Sequence, residues 1–222
     1  MKIAILGNGR MSKQISKLAK ERDHSILVVS SSEKPAHTLD VSIADIAIDF
    51  STPTTAFNNI SHALKDGIPV ISGTTGWLEK LSEIEELCTN KSGAFLYASN
   101  FSLGMNIFFE LNKKLTNLMK NQNYKSTIHE IHHTQKLDSP SGTALSLGEQ
   151  MDSILATNTP ITSERRENLP GIHIVNYGSS VDEIKITHTA KNRNGFAMGA
   201  IIAAEWIIGK KGIFSMKDVL TQ

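Results

Sequence analysis

Short apolar runs alternate with amphipathic stretches through the first half of the chain. Ile3–Leu6, Ile26–Val29, Ile46–Phe50, Val70–Ser72 and Ala94–Ala98 are brief and strongly apolar, as strands buried on both faces are. Between them, Arg10–Glu21 places Met11, Ile15, Leu18 and Ala19 at helical spacing, and Thr54–Lys65 and Leu78–Leu87 also read as helices. This β-α-β rhythm predicts a Rossmann-type, doubly wound parallel sheet. After Gly104 the pattern changes. A helix over Met105–Lys120 is followed by an alternating strand, Tyr124–Glu130, and a polar turn, Thr134–Pro140, leads into a helix from Ser141 or Gly142. Ile172–Tyr177 and Glu183–Thr189 then follow as strands without a helix between them, which predicts a second, α+β domain on a mixed sheet. The apolar helix Phe196–Ile208 is placed to return to the first domain.

Composition narrows the classes. With 222 residues, 40% hydrophobic, 20% charged and a net charge of +1, the chain has the makeup of a globular protein and lacks the basic excess that holds nucleic acid. Cys88 is the only cysteine, so an internal disulfide is impossible; a reducing, cytoplasmic setting is expected. No apolar run reaches the length of a membrane span, and the opening MKIAIL is too short for a typical signal-peptide core.

Candidate chemistry lies in two places. Gly7-Asn8-Gly9-Arg10-Met11-Ser12 joins the first strand to the first helix, where glycines allow close approach to a pyrophosphate and the helix N-terminus supplies free N–H groups. An ordinary tight turn is the competing reading. The second strand ends in Ser30-Ser31-Ser32-Glu33-Lys34, with no clear acid for the ribose hydroxyls of NAD; its hydroxyls and lysine suit a 2′-phosphate, or Glu33 stands in one or two places away, or the loop is simply solvated. NADPH and NADH both stay open.

The second place runs from His129 to Ala144. His129-Glu130-x-x-His133 matches a zinc-protease pattern, but that pattern needs a helix. On the extended chain that Ser126-Thr127-Ile128 favours, the two histidines stand about 13 Å apart, so no metal is expected. Pro140-Ser141-Gly142-Thr143 reads as a loop entering a helix with Ser141 at the N-cap, a place suited to an anion. A histidine at the strand end and Lys136 add a titratable proton and positive charge. A polar turn before a capped helix is the structural alternative.

The segment Glu130 to Ala144 resembles the E-x-H-H-x-x-K-x-D-x-P-S-G-T-A signature of dihydrodipicolinate reductases. Further similar blocks, in family order, are Asp49–Pro53, Gly73–Gly76, Ala98–Ser102, Ile186–His188, Phe196–Ala200 and Gly212–Leu220. The resemblance implies an NADPH- or NADH-dependent oxidoreductase of lysine and diaminopimelate synthesis, acting on a small cyclic imine dicarboxylate. It implies His132 as general acid and Lys136 as second proton donor, with His133, Gly142 and Thr143 holding the substrate carboxylates. Gly7, Asn8, Gly9, Arg10 and Met11 correspond to the phosphate turn; Gly73, Thr74, Thr75, Ala98, Ser99, Asn100 and Phe101 correspond to the nicotinamide-side loops. Residues 1–102 with 195–222 are then the dinucleotide-binding domain, and 103–194 the substrate-binding and oligomerisation domain. Another oxidoreductase of the same fold, or a non-catalytic nucleotide-sensing relative, is the alternative. Three departures stand out: Ser12 in place of a third glycine, the missing acid, and a shortened stretch between Gly171 and Ile186, read as loss of a strand or hairpin. Relatives form tetramers through that sheet, so a homo-oligomer is implied while its size is left open.

Overall fold

A computed structural model describes residues 1–167, 169–192 and 194–221, which form two units, Met1–Leu103 with Asn194–Gln222, and Gly104–Arg193. In the first unit the strands are β1 (Lys2–Leu6), β2 (Ser25–Ser30), β3 (Ile46–Asp49), β4 (Val70–Ser72), β5 (Ala94–Tyr97) and β10 (Gly212–Phe214). They form one parallel sheet in the order β10-β5-β4-β3-β1-β2. The apolar runs are continuous because both faces are covered. Ile3, Ile5, Ile46 and Ile48 pack with α1 (Arg10–Glu21) and α6 (Asn194–Ile207). Ala4, Leu6 and Ala47 turn the other way, toward α2 (Pro53–Lys65) and α3 (Leu81–Asn90). The predicted helix Leu78–Leu87 divides into a short 3-10 turn, Leu78–Lys80, and α3. Parallel pairing brings the C-terminal ends of β1, β3, β4 and β5 to one edge of the sheet, which is where such folds bind ligands.

The second unit carries α4 (Leu103–Met119), β6 (Lys125–His132), α5 (Gly142–Leu155), β7 (Ile161–Arg165), β8 (Gly171–Gly178) and β9 (Glu183–Ala190). Its sheet runs β7-β6-β8-β9; β6 and β7 are parallel and the other pairs antiparallel. The sheet is therefore mixed, as the strand spacing predicts. Strand β6 continues two residues beyond the predicted Glu130, to His132. Ile128, Val175 and Tyr177 meet Met105, Phe108, Leu147 and Met151 in one core. The Tyr177 hydroxyl donates to Thr116 Oγ1 at 2.8 Å, which satisfies a phenol that would otherwise be costly to bury.

Candidate active site

Gly7 and Gly9 do different things at the end of β1. Gly7 has φ +117°, and a Cβ there would stand 2.3 Å from the Phe50 carbonyl oxygen, so only glycine fits. Its N–H donates to Ser30 Oγ at 2.9 Å, tying the turn to the end of β2. Gly9 is the N-cap of α1, has no side-chain capping bond, and a Cβ on it would meet nothing within 4 Å. An open backbone ahead of a 12-residue helix suits an approaching phosphate, and exposed Asn8 and Arg10 flank it. Ser12 is buried and donates to the Phe50 carbonyl at 3.1 Å, so the small residue in the third glycine position joins α1 to the end of β3.

The loops after β4 and β5 are fixed from beneath. Asp49, fully buried at the end of β3, accepts hydrogen bonds from Ser51 Oγ (2.7 Å), Ser72 Oγ (2.9 Å), Thr74 Oγ1 (2.7 Å) and Asn59 Nδ2 (3.4 Å). Burial raises its pKa and these donors oppose that rise. Thr74 Oγ1 also accepts from Ser51 N–H at 2.8 Å. The Thr74 side chain thus points into the sheet edge. Phe101 is likewise buried, its ring 5.6 Å from that of Phe50. Thr75 and Ser99 are exposed, and Gly73, Ala98 and Asn100 half-buried, on the same loops.

In the second unit, one face of β6 changes character along its length. Ile128 faces the apolar core, and two and four residues on, the same face presents Glu130 and His132. Antiparallel pairing sets Glu130 opposite His173 of β8. Glu130, His132 and His173 are all buried, and the two imidazole rings lie edge to face with centroids 5.0 Å apart. Glu130 is completely enclosed. Its Oε1 accepts from Ser141 N–H at 2.9 Å and Ser163 Oγ at 2.8 Å, with Arg165 Nη1 at 3.6 Å. Its Oε2 accepts from the Ser141 hydroxyl and lies 3.3 Å from His132 Nδ1.

Ser141 is the N-cap of α5 and accepts from Ala144 N–H at 3.2 Å, as the serine before the helical run predicts. Gly142, exposed with open space at its Cβ position, and Thr143 begin that helix. Lys136 follows in the turn, its ammonium held by Asp138 at 2.8 and 2.9 Å. Arg165 clamps the same turn by donating to the carbonyls of Lys136 (3.4 Å) and Asp138 (2.6 Å). His133 lies on an open cavity of about 470 Å³ shared with Thr134, Gln135, Glu167 and Pro170.

His129 lies on β6 and pairs with Thr162 (2.8 Å) and Glu164 (3.6 Å), so the strand separates it from any zinc arrangement with His133. Glu130, His132 and His173 do offer three ligand atoms within 4.8 Å of one another. Both Glu130 oxygens, however, are already occupied by donors and face a guanidinium, which makes this a hydrogen-bonded cluster poorly suited to a cation. His173, Ser163 and Arg165 carry no local sequence signal for this site. The pairing of β6 with β7 and β8 brings them there.

Two family models match in tandem: the N-terminal part of dihydrodipicolinate reductase over residues 1–101 and its C-terminal part over residues 104–220. The chain belongs to the dihydrodipicolinate reductase family. A family member from Christiangramia forsetii, a 4-hydroxy-tetrahydrodipicolinate reductase, is 50% identical over 234 residues covering 100% of this chain and 98% of that one. Another from Buchnera aphidicola of Schizaphis graminum is 40% identical across 79% of this chain and 72% of its own. In fold, the chain is similar to a dipicolinate-bound dihydrodipicolinate reductase from Paenisporosarcina sp. TG-14, with a TM-score of 0.81 at 22% identity and 97% of each chain covered. The family blocks around Glu130–Ala144, Asp49–Pro53 and Gly73–Gly76 fall on the elements just described, all beside sheet edges or helix N-termini.

Proposed function

We propose that this chain is an NADPH- or NADH-dependent 4-hydroxy-tetrahydrodipicolinate reductase of lysine and diaminopimelate synthesis. One observation carries the reading within the second unit. A single buried carboxylate, Glu130, sits beside His132 and also fixes the N-terminus of α5, so a titratable imidazole and an anion-binding helix end share one anchor.

The turn Gly7–Met11 and the loops Gly73–Thr75 and Ala98–Phe101 would hold a reduced nicotinamide dinucleotide, which would supply the hydride. Gly9 and the first turn of α1 would hold its phosphates, and Thr74 and Phe101, turned inward, would contribute through backbone and loop shape. In the second unit His133 with the N–H groups of Gly142 and Thr143 holds the carboxylates of the substrate. Loss of water from the hydroxylated substrate leaves a conjugated cyclic imine. Hydride addition to carbon shifts an electron pair through the conjugated system, and the resulting enamine takes a proton on carbon from the His132 imidazolium. Lys136 is the second candidate donor of that one proton and steadies the dianion once its ammonium exchanges Asp138 for substrate.

The units Met1–Leu103 with Asn194–Gln222 and Gly104–Arg193 are proposed as the dinucleotide and substrate domains, respectively. A cytoplasmic homo-oligomer, a tetramer in its relatives, is the proposed state. Exposed Ile107, Leu111 and Leu118 on α4 support burial in an assembly, and light scattering on purified protein measures it.

Purified protein supplied with freshly made hydroxy-tetrahydrodipicolinate is expected to oxidise NADPH or NADH with formation of tetrahydrodipicolinate. No oxidation of either nucleotide would refute the assignment.

A further inference from the structure

Glu130 has no exposed surface, and the reaction above gives it no step. A completely buried carboxylate is costly unless its charge is used or neutralised. Burial raises its pKa, but hydrogen bonds from Ser141 and Ser163 outweigh burial and hold it below the ordinary carboxylate range. Glu130 is therefore an anion at neutral pH.

Four imidazoles and two cations surround that anion or its neighbour. Burial, with Lys136, Arg165 and His133, holds His132 below the ordinary imidazole range, and among the described residues Glu130 is the one neighbour that opposes this. His173 is held down to about 4 by burial and by His132, so it is neutral at physiological pH. Neutral His173 donates from Nε2 to Ser141 Oγ at 3.3 Å, because the Ser141 proton goes to Glu130. His188, paired with His173 on β9, is also lowered by burial. The Glu130 carboxylate lies 3.3 Å from His132 Nδ1. That nitrogen is buried and has no hydrogen-bond partner among the described residues, and the carboxylate beside it is placed to pair with it when the ring is protonated.

We infer that Glu130 is the positioning residue that keeps His132 a proton donor, holding the ring by its Nδ1 side and leaving Nε2 for the substrate. It acts through His132 and touches no reacting atom. The inference rests on His132 being the acid of the proposed reaction.

The test is Glu130→Gln, with Glu130→Asp beside it. Proton titration of His132 is followed by NMR in the free protein, and kcat and KM are followed against pH. In the Gln variant the His132 midpoint is expected to fall by about one unit or more. At neutral pH kcat should fall about tenfold or more, recovering as pH is lowered, with KM little changed. The Asp variant keeps the charge but draws it back by one methylene, so its midpoint falls by less. An unchanged His132 midpoint in either folded variant overturns the inference, and if the Gln variant fails to fold, the Asp variant decides. If the midpoint moves while the wild-type protein reduces no imine, the Glu130–His132 coupling stands and the enzymatic reading fails.

Discussion

Gly171 lies against the ring of His132: a Cβ at position 171 would stand 2.9 Å from Nε2 and 3.1 Å from Cδ2. The first residue of β8 therefore leaves room beside the nitrogen from which the proton is proposed to depart. Gly171→Ala is expected to push the imidazole aside. A displacement near 1 Å at a reacting group costs about 100-fold in rate, while the backbone strain at φ +155° costs about 1–3 kcal/mol. Kinetics and thermal unfolding on the same sample separate the two. A folded variant with wild-type kcat would show that this face of His132 is idle.

His173 is expected to make the second unit acid-sensitive. Its folded pKa, about 4, lies below the ordinary 6.5, so the unfolded chain binds more protons between those values. Stability from this group is complete above about pH 6.5 and is lost as the pH falls toward 4. The loss amounts to about 3 kcal/mol at most. Urea unfolding against pH, compared with His173→Gln, reads this contribution as the difference in slope. Parallel slopes for the two proteins would contradict it.

The two glycines of the proposed phosphate turn should fail differently. Gly7→Ala drives a methyl into the Phe50 carbonyl, against backbone that cannot yield, and is expected to destabilise the first unit by about 2–4 kcal/mol. Gly9→Ala meets open space at an ordinary φ of −77° and should leave stability within about 0.5 kcal/mol of wild type. A methyl there intrudes where the phosphate is proposed to approach, and the nucleotide Kd should rise about tenfold. Calorimetric binding and unfolding check both. Unimpaired nucleotide binding by Gly9→Ala would remove the turn from the site.

These contrasts also mark how far the sequence could be read. Ile3, Ile5, Ile46 and Ile48 announced a sheet covered on both faces because continuous apolar strands have few other uses. β7 and β10 were not legible. Ile161–Arg165 is half polar and lies at a sheet edge, and Gly212–Phe214 is three residues long, so neither carries an apolar period. In the candidate site, His132, Lys136, Gly142 and Thr143 are singled out by the resemblance of the segment Glu130–Ala144 to the family signature. His173 and Arg165 are not, because strand pairing alone carries them to Glu130. Glu130 is not legible in one dimension either, because a carboxylate before two histidines fits a surface strand equally well, and only the fold shows its face to be the one packed beneath α5.

The proposed proton donors are His132, at the end of β6, and Lys136, in the turn after it, and replacing them is the most direct trial. Steady-state reduction of freshly prepared hydroxy-tetrahydrodipicolinate should be measured for His132→Gln and Lys136→Met against wild type, with nucleotide binding as the control for an intact first unit. kcat is expected to fall by about 100-fold to 10,000-fold for His132→Gln, the usual worth of a general acid, and substantially for Lys136→Met, with nucleotide affinity unchanged. Turnover within about twofold of wild type in both variants would show that the proton comes from elsewhere.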